Sequence, residues 1–239
     1  RLKLATRAGN IGVWDLDLMD GSMIWDKRLF EIFNEDPETY IPTLKNWSTA
    51  LHPLDKVPAE RDLQSAIDNE QDFYTEFRII SPDQTIRHVQ AAGTIMRNNT
   101  GAARRLIGIV LDITERKEAQ NKLRNAKQLY QSIIDATDDI VFIKDRNFKF
   151  LVCNNATAKL LGRSKEELVN TIDEDFFPPE AVEQFRADDQ RVFDTQKIQE
   201  IEELVAYPDG SEVLLNTIKY PLYQDNKLIG LVGIGHDIT

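Results

Sequence analysis

Residues 107–114 read IGIVLDIT and residues 229–239 read IGLVGIGHDIT, two glycine-bearing apolar stretches that both finish on Asp-Ile-Thr. Working upstream from each, Ser81-Pro82-Asp83-Gln84 matches Tyr207-Pro208-Asp209-Gly210, and His52-Pro53-Leu54-Asp55 matches Phe177-Pro178-Pro179-Glu180. The offsets are 125 or 126 residues throughout. Three matches in one order at one spacing mark a duplication, and a period of this length is a whole domain rather than a solenoid repeat. A chain of 239 residues divided in this way holds two hydrophobic cores.

Composition narrows the function classes. The hydrophobic content of 41% is that of a globular chain, and the formal net charge of −11 speaks against nucleic acid, which selects a basic face. No apolar run reaches the ~20 residues that a membrane-spanning helix needs, and RLKLATRAGN at 1–10 lacks the apolar block of a secretion signal. The expectation is a segment without membrane contact, cytoplasmic, within a longer protein that can itself be membrane-anchored. Cys153 is the single cysteine, so one chain forms no internal disulfide and no cysteine-rich zinc site.

Each copy reads in the same order. In the first, IGVWDLDLMDGSMIWD carries two short apolar runs around Met19-Asp20-Gly21-Ser22, a hairpin signal. KRLFEIFNEDPETY predicts a short helix ending near Asn34 and Pro37. Residues 58–70, opening on Pro58, predict an amphipathic helix with Leu63, Ala66 and Ile67 on one face. The remainder is three strands with turns at Pro82-Asp83 and Asn98 to Gly101. In the second copy the hairpin is IVFIKDRNFKFLVCN, followed by helix ATAKLLG, a loop with Phe176-Phe177-Pro178-Pro179, helix AVEQFRADDQRVFDTQ and three strands. The fold class is therefore α+β: two domains, each a five-stranded antiparallel sheet with short helices on one face, joined by a helix. The boundaries are 1–114, 115–136 and 137–239.

At this point the residues resemble the PAS family, with the trailing strands corresponding to its PAC part. In the second copy Asn154-x-Ala156, Leu160-Leu161-Gly162, Ser164-x-Glu166-Glu167, Pro208-Asp209-Gly210-Ser211 and Asp237-Ile238-Thr239 fall where that family has them. The first copy is similar to the subgroup with Gly12-x-Trp14-Asp15, Trp25-Asp26 and His52-Pro53-x-Asp55, and departs from it where Gln84 replaces the usual turn glycine. The resemblance implies a non-catalytic sensory input and dimerisation module of a larger signalling protein, a histidine kinase or a diguanylate cyclase or phosphodiesterase. A ligand-free dimerisation scaffold and a flavin-binding redox sensor stay open beside it, because fold does not choose among them.

Residues 115–136 are a net basic segment between two acidic blocks. Ala119, Leu123, Ala126, Tyr130, Ile133 and Thr137 recur at spacings of 4, 3, 4, 3 and 4, the seam of a coiled coil. Thr114 is placed to cap this helix, its hydroxyl accepting from the first free amides. A homodimer through this helix is the expected assembly, with a downstream output domain in the same protein. An amphipathic linker lying on its own domain is the alternative. Asp112 and Thr114, and Asp237 and Thr239, are the candidates for coupling each sheet to a helix beyond it.

His52, His88 and His236 lie one to a region, which offers no metal cluster and no nucleophilic triad. Within the family resemblance, flavin–cysteine members carry their cysteine on a helix, whereas Cys153 falls on a strand, and a buried structural thiol is its expected role. Haem-binding members carry a histidine on the long helix or the next strand, and neither 58–70 nor 181–196 contains one. No cofactor is predicted. A small-molecule metabolite in a cavity between sheet and helices is what remains, and the candidates lining it are Phe142, Val192, Leu204, Leu214, Asn216, Ile218, Val232 and Ile234. A solid core filled by the same residues is the competing expectation. In the first copy Trp14, Trp25 and Phe77 are large enough to leave little space.

Overall fold

The computed structural model describes residues 10–69, 71–207 and 210–239, so residues 1–9 and the Pro208-Asp209 part of the repeat lie outside the described residues. The chain forms two compact units, Arg1–Leu123 and Arg124–Thr239.

The first unit contains β1 (Ile11–Asp17), β2 (Met23–Trp25), β3 (Phe73–Ile80), β4 (Ile86–Arg97) and β5 (Ala103–Asp112), with helices α1 (Lys27–Phe33), α2 (Leu44–Ala50) and α3 (Pro53–Asn69). The sheet order is β2-β1-β5-β4-β3, with every neighbouring pair antiparallel. The predicted hairpin turns with Gly21 at φ +73°. Asp26 starts α1 by accepting from the Leu29 amide, and Asn34 ends it in the left-handed conformation, as a polar C-terminal cap does.

One helical expectation is corrected, and one helix is added. The long helix begins at Pro53 rather than Pro58. Proline is favourable at a first helical position, and Pro58 sits close enough to the start to cost only the bond to the carbonyl of exposed Leu54. Asp55 in the same turn takes a two-pronged ion pair from Arg78 (2.6 and 2.8 Å) and a bond from the Arg78 amide (2.8 Å), which pins the turn to β3. Helix α2, unannounced in the sequence, is capped by Thr43 and buries Trp47 edge-on to Phe77.

The second unit repeats the plan. It has β6 (Ile140–Asp145), β7 (Phe150–Cys153), β8 (Gln199–Ala206), β9 (Glu212–Gln224) and β10 (Lys227–Asp237), in the order β7-β6-β10-β9-β8. Its helices are α5 (Asn155–Leu161), α6 (Lys165–Leu168) and α7 (Pro179–Thr195), with a 3-10 turn at Asp173–Asp175. Asn154 caps α5, Ser164 and Glu167 cap α6 reciprocally, and Pro179 opens α7, each a residue type suited to a helix start.

Helix α4 (Thr114–Asp135) runs from the first unit into the second, the division falling at Leu123. None of its residues is buried. It ends at Asp135, which leaves Thr137 outside the apolar seam, where its hydroxyl accepts from the Asp139 amide.

Candidate functional site

Alternation along the strands of the second unit decides what faces the helices. On β9 the buried set is Val213, Leu215, Thr217 and Lys219; on β8 it is Glu203 and Val205; on β6 it begins with Ile140 and ends with Lys144. On α7, Val182, Phe185, Asp189 and Val192 recur at helical spacing and are all buried, the inward stripe of an amphipathic helix. Four charged residues thus occupy positions that the periodicity reserves for apolar side chains, and a fifth, Asp173, joins them from the 3-10 turn.

They meet in one line of alternating charge. Lys144 Nζ donates to Asp173 Oδ2 (2.6 Å) and Asp189 Oδ2 (3.0 Å). Lys219 Nζ lies 2.8 Å from Asp189 Oδ1 and 3.0 Å from Glu203 Oε1. Neither of those two oxygens receives an aligned hydrogen bond, and Thr217 Oγ1 has no partner among the described residues. The Lys219 contacts are therefore close ion pairs without well-aligned hydrogen-bond angles.

Burial raises the Asp173 carboxyl above the ordinary carboxylate value, more than Lys144 lowers it. Burial acts on Asp189 in the same sense, but the two ammonium groups outweigh it and hold that carboxyl below its ordinary value. Lys219 is pushed down by burial and up by Asp189 and Glu203, and the carboxylates prevail.

The line borders a cavity of about 50 Å³, walled by Phe142, Phe150, Phe177 and Phe185, with Lys144, Asp173, Glu203, Thr157, Thr217 and Lys219 presenting polar atoms. Gly233 makes room for it: Phe142 opposes Gly233 across the β6–β10 pair, and a Cβ there would stand 2.2 Å from the Phe142 ring. A polar cavity of that size accommodates about three or four waters or as many ligand atoms.

Of the candidates read from the sequence, Phe142 borders this cavity and Val192 is buried in the neighbouring cluster with Phe193 and Leu231. The other six are corrected. Leu204, Leu214, Asn216, Ile218, Val232 and Ile234 have the opposite parity and lie on the outer face, with Leu204 61% exposed and Asn216 bonded to Glu200 across the strands. An inward Ile218 leaves Lys219 outward, in keeping with the usual solvation of lysine. The buried carboxylates reverse that preference. The signal that could have found the site is the coincidence of Lys144, Asp189 and Lys219, charges of compensating sign, each inside an apolar period.

The first unit has a smaller cavity, about 30 Å³, lined wholly by apolar and aromatic side chains including Trp14, Trp25 and Phe77. Cys153 is buried, and burial pushes its thiol up to about 12, leaving it protonated and unreactive at neutral pH. His236, largely exposed, bonds Asp139 at 2.7 Å. Among the described residues no group of metal-ligating side chains is assembled, and no helix is long and apolar enough to cross a membrane.

The Asp-Ile-Thr ends form the same clamp twice. Asp112 Oδ1 accepts from the Thr114 amide, Thr114 Oγ1 accepts from the His88 amide, and the Ile113 amide donates to the His88 carbonyl. In the second unit Asp237, Thr239, Ile238 and Leu214 repeat these bonds. The expected role of Thr114 is thereby corrected: its hydroxyl serves strand β4 and donates to Asp112 at 2.6 Å, instead of accepting from the first amides of α4. The start of α4 is fixed to β3 as well, through Lys117 and Arg116 to Glu76 (2.6 and 3.5 Å).

Comparison with known proteins adds the family. Residues 22–110 and residues 134–239 each match a family model described as PAS fold. The chain is 32% identical over 167 residues to a probable diguanylate cyclase, DgcE, of Escherichia coli (strain K12), covering 70% of this chain and 15% of that protein. It is 34% identical over 110 residues to the aerobic respiration control sensor protein ArcB of the same organism, covering 46% of this chain and 14% of that one. The chain thus spans about a seventh of each relative's length. A sensory box histidine kinase/response regulator from Burkholderia thailandensis E264 aligns with a TM-score of 0.49 at 21% identity, over 55% of this chain and 98% of that one.

Proposed function

The chain belongs to the PAS fold family, with one domain matched at 22–110 and a second at 134–239, and from that premise we propose that it is the cytoplasmic sensory input of a larger signalling protein. In this reading the second domain takes a small polar ligand, and the output, downstream in the same protein, is a diguanylate cyclase or a histidine kinase. The observation that carries it is the hollow charged core. A filled scaffold would have apolar side chains at Lys144, Asp189 and Lys219, which are as stable as a buried ion network or more so; the cavity with unused acceptors beside them suits a ligand.

Signal leaves through the clamps. Asp112 and Thr114 tie the strand end to α4, and Asp237 and Thr239 tie β10 to the downstream output. A ligand shifts such an element only by its differential affinity for two arrangements. The second copy of this chain is the proposed partner of α4. Leu123, Tyr130 and Ile133 share the seam and are exposed, with Leu123 74% accessible, so the helix has apolar surface that its own domains leave uncovered.

A thermal-shift screen of small polar metabolites on the 239-residue chain, run beside the cavity-filling variant Thr217→Leu, tests the ligand reading. Compounds are expected to raise the melting temperature of the parent and not of the variant. No shift from any chemical class, or equal shifts in both proteins, would overturn it.

A further inference from the structure

The charge line Asp173–Lys144–Asp189–Lys219–Glu203 begins and ends on a carboxylate. Three carboxylates face two ammonium groups, one more potential negative charge than positive, in a place where all five side chains are at least nine-tenths buried. A surplus charge in a low-dielectric interior is costly unless a proton, which burial favours at Asp173, or a cation neutralises it.

The unmet hydrogen-bonding capacity points the same way. Among the described residues Glu203 Oε1 lacks an aligned donor and Thr217 Oγ1 lacks a partner, and both residues border the cavity. The walls favour positive charge too: Lys144 Nζ stands 4.9 Å from the centre of the Phe150 ring and Lys219 Nζ 6.0 Å from that of Phe185, with ring faces that attract cations. An anion could approach the two lysines only by confronting Asp173 and Glu203, which already occupy them.

We propose that the cavity of the second domain takes a small primary ammonium compound, of about three or four non-hydrogen atoms, whose charge pairs with Glu203 and whose N–H groups donate to Glu203 and Thr217. This rests on the cavity being a ligand site and names its ligand class.

The test is isothermal titration calorimetry of the full chain with ethylammonium, acetamide and acetate at one ionic strength. Ethylammonium is expected to bind at least about tenfold more tightly than the other two, and Glu203→Gln, which keeps shape and removes charge, should weaken it by about tenfold or more. Thr217→Val supplies the second variant if Glu203→Gln does not fold, and should also weaken the amine. Equal or tighter binding of acetate or acetamide, abolished by Thr217→Leu, overturns the amine and keeps the cavity as a ligand site. Ethylammonium binding unchanged by these substitutions places it on the surface and overturns the proposal. Heat from none of the three also overturns it, and the thermal-shift screen then decides the cavity reading by itself.

Discussion

Gln84 and Gly210 hold equivalent places in the two copies, with φ at +67° and +86°. Glycine adopts that region freely, whereas a side chain there costs about 1–2 kcal/mol. Gln84→Gly should therefore raise stability by about 0.5–1 kcal/mol once the extra freedom of glycine in the unfolded chain is subtracted; urea unfolding measures it, and a loss of stability would contradict the turn assignment. The bond that the His236 ring donates to the Asp139 carboxylate raises the imidazole above its ordinary value of 6.5, with the Asp139 and Asp237 charges adding to it. A raised basic group stabilises the fold below its unfolded value and loses that contribution as pH rises through the folded value. An NMR titration should place His236 above a free imidazole and return it toward 6.5 in Asp139→Asn. Lys219→Met leaves Glu203 without a cation in the interior and should cost about 3–5 kcal/mol, read by the same urea midpoint.

At the scale of elements, the two repeats differ in how openly their sequences declare them. Hairpins and turns were legible because their residues act locally: Gly21 stands where a hairpin turns and Ser164 where a helix begins, whereas Pro179, expected in a loop, opens α7 two residues before the expected start at Ala181. Strand β9 was not legible. Val213-Leu214-Leu215-Asn216-Thr217-Ile218-Lys219 carries apolar residues at both parities, and only the partners arriving from α7 and β8 decide which set is inside. The site was hidden for the same reason, since the pairing of Lys144 with Asp173 and Asp189 spans 29 and 45 residues. The Asp-Ile-Thr clamp was visible as a motif, but not its geometry. Thr114→Val removes the acceptor of the His88 amide and should cost about 1 kcal/mol. Amide hydrogen exchange at His88 and in the first turn of α4 should rise. Unchanged protection there would show that the clamp does not hold the helix.

For the whole molecule, the duplication read from Asp-Ile-Thr accounts for two sheets of identical strand order, and the helix between them carries the assembly claim. Sedimentation equilibrium should find a dimer that Leu123→Glu with Ile133→Glu converts to monomer while leaving each domain's melting unchanged; a monomeric parent would remove the second copy as partner of α4. The central claim is that the second domain keeps two ammonium groups inside, around a space a ligand can enter. Nitrogen-detected NMR of the lysine-labelled chain tests it most directly. Lys144 and Lys219 should give ammonium signals that exchange with water far more slowly than those of exposed lysines, one vanishing in Lys144→Met and the other in Lys219→Met. Both should move with any compound that raises the melting temperature. Two signals exchanging as fast as exposed lysines, or unmoved by every such compound, would contradict the account.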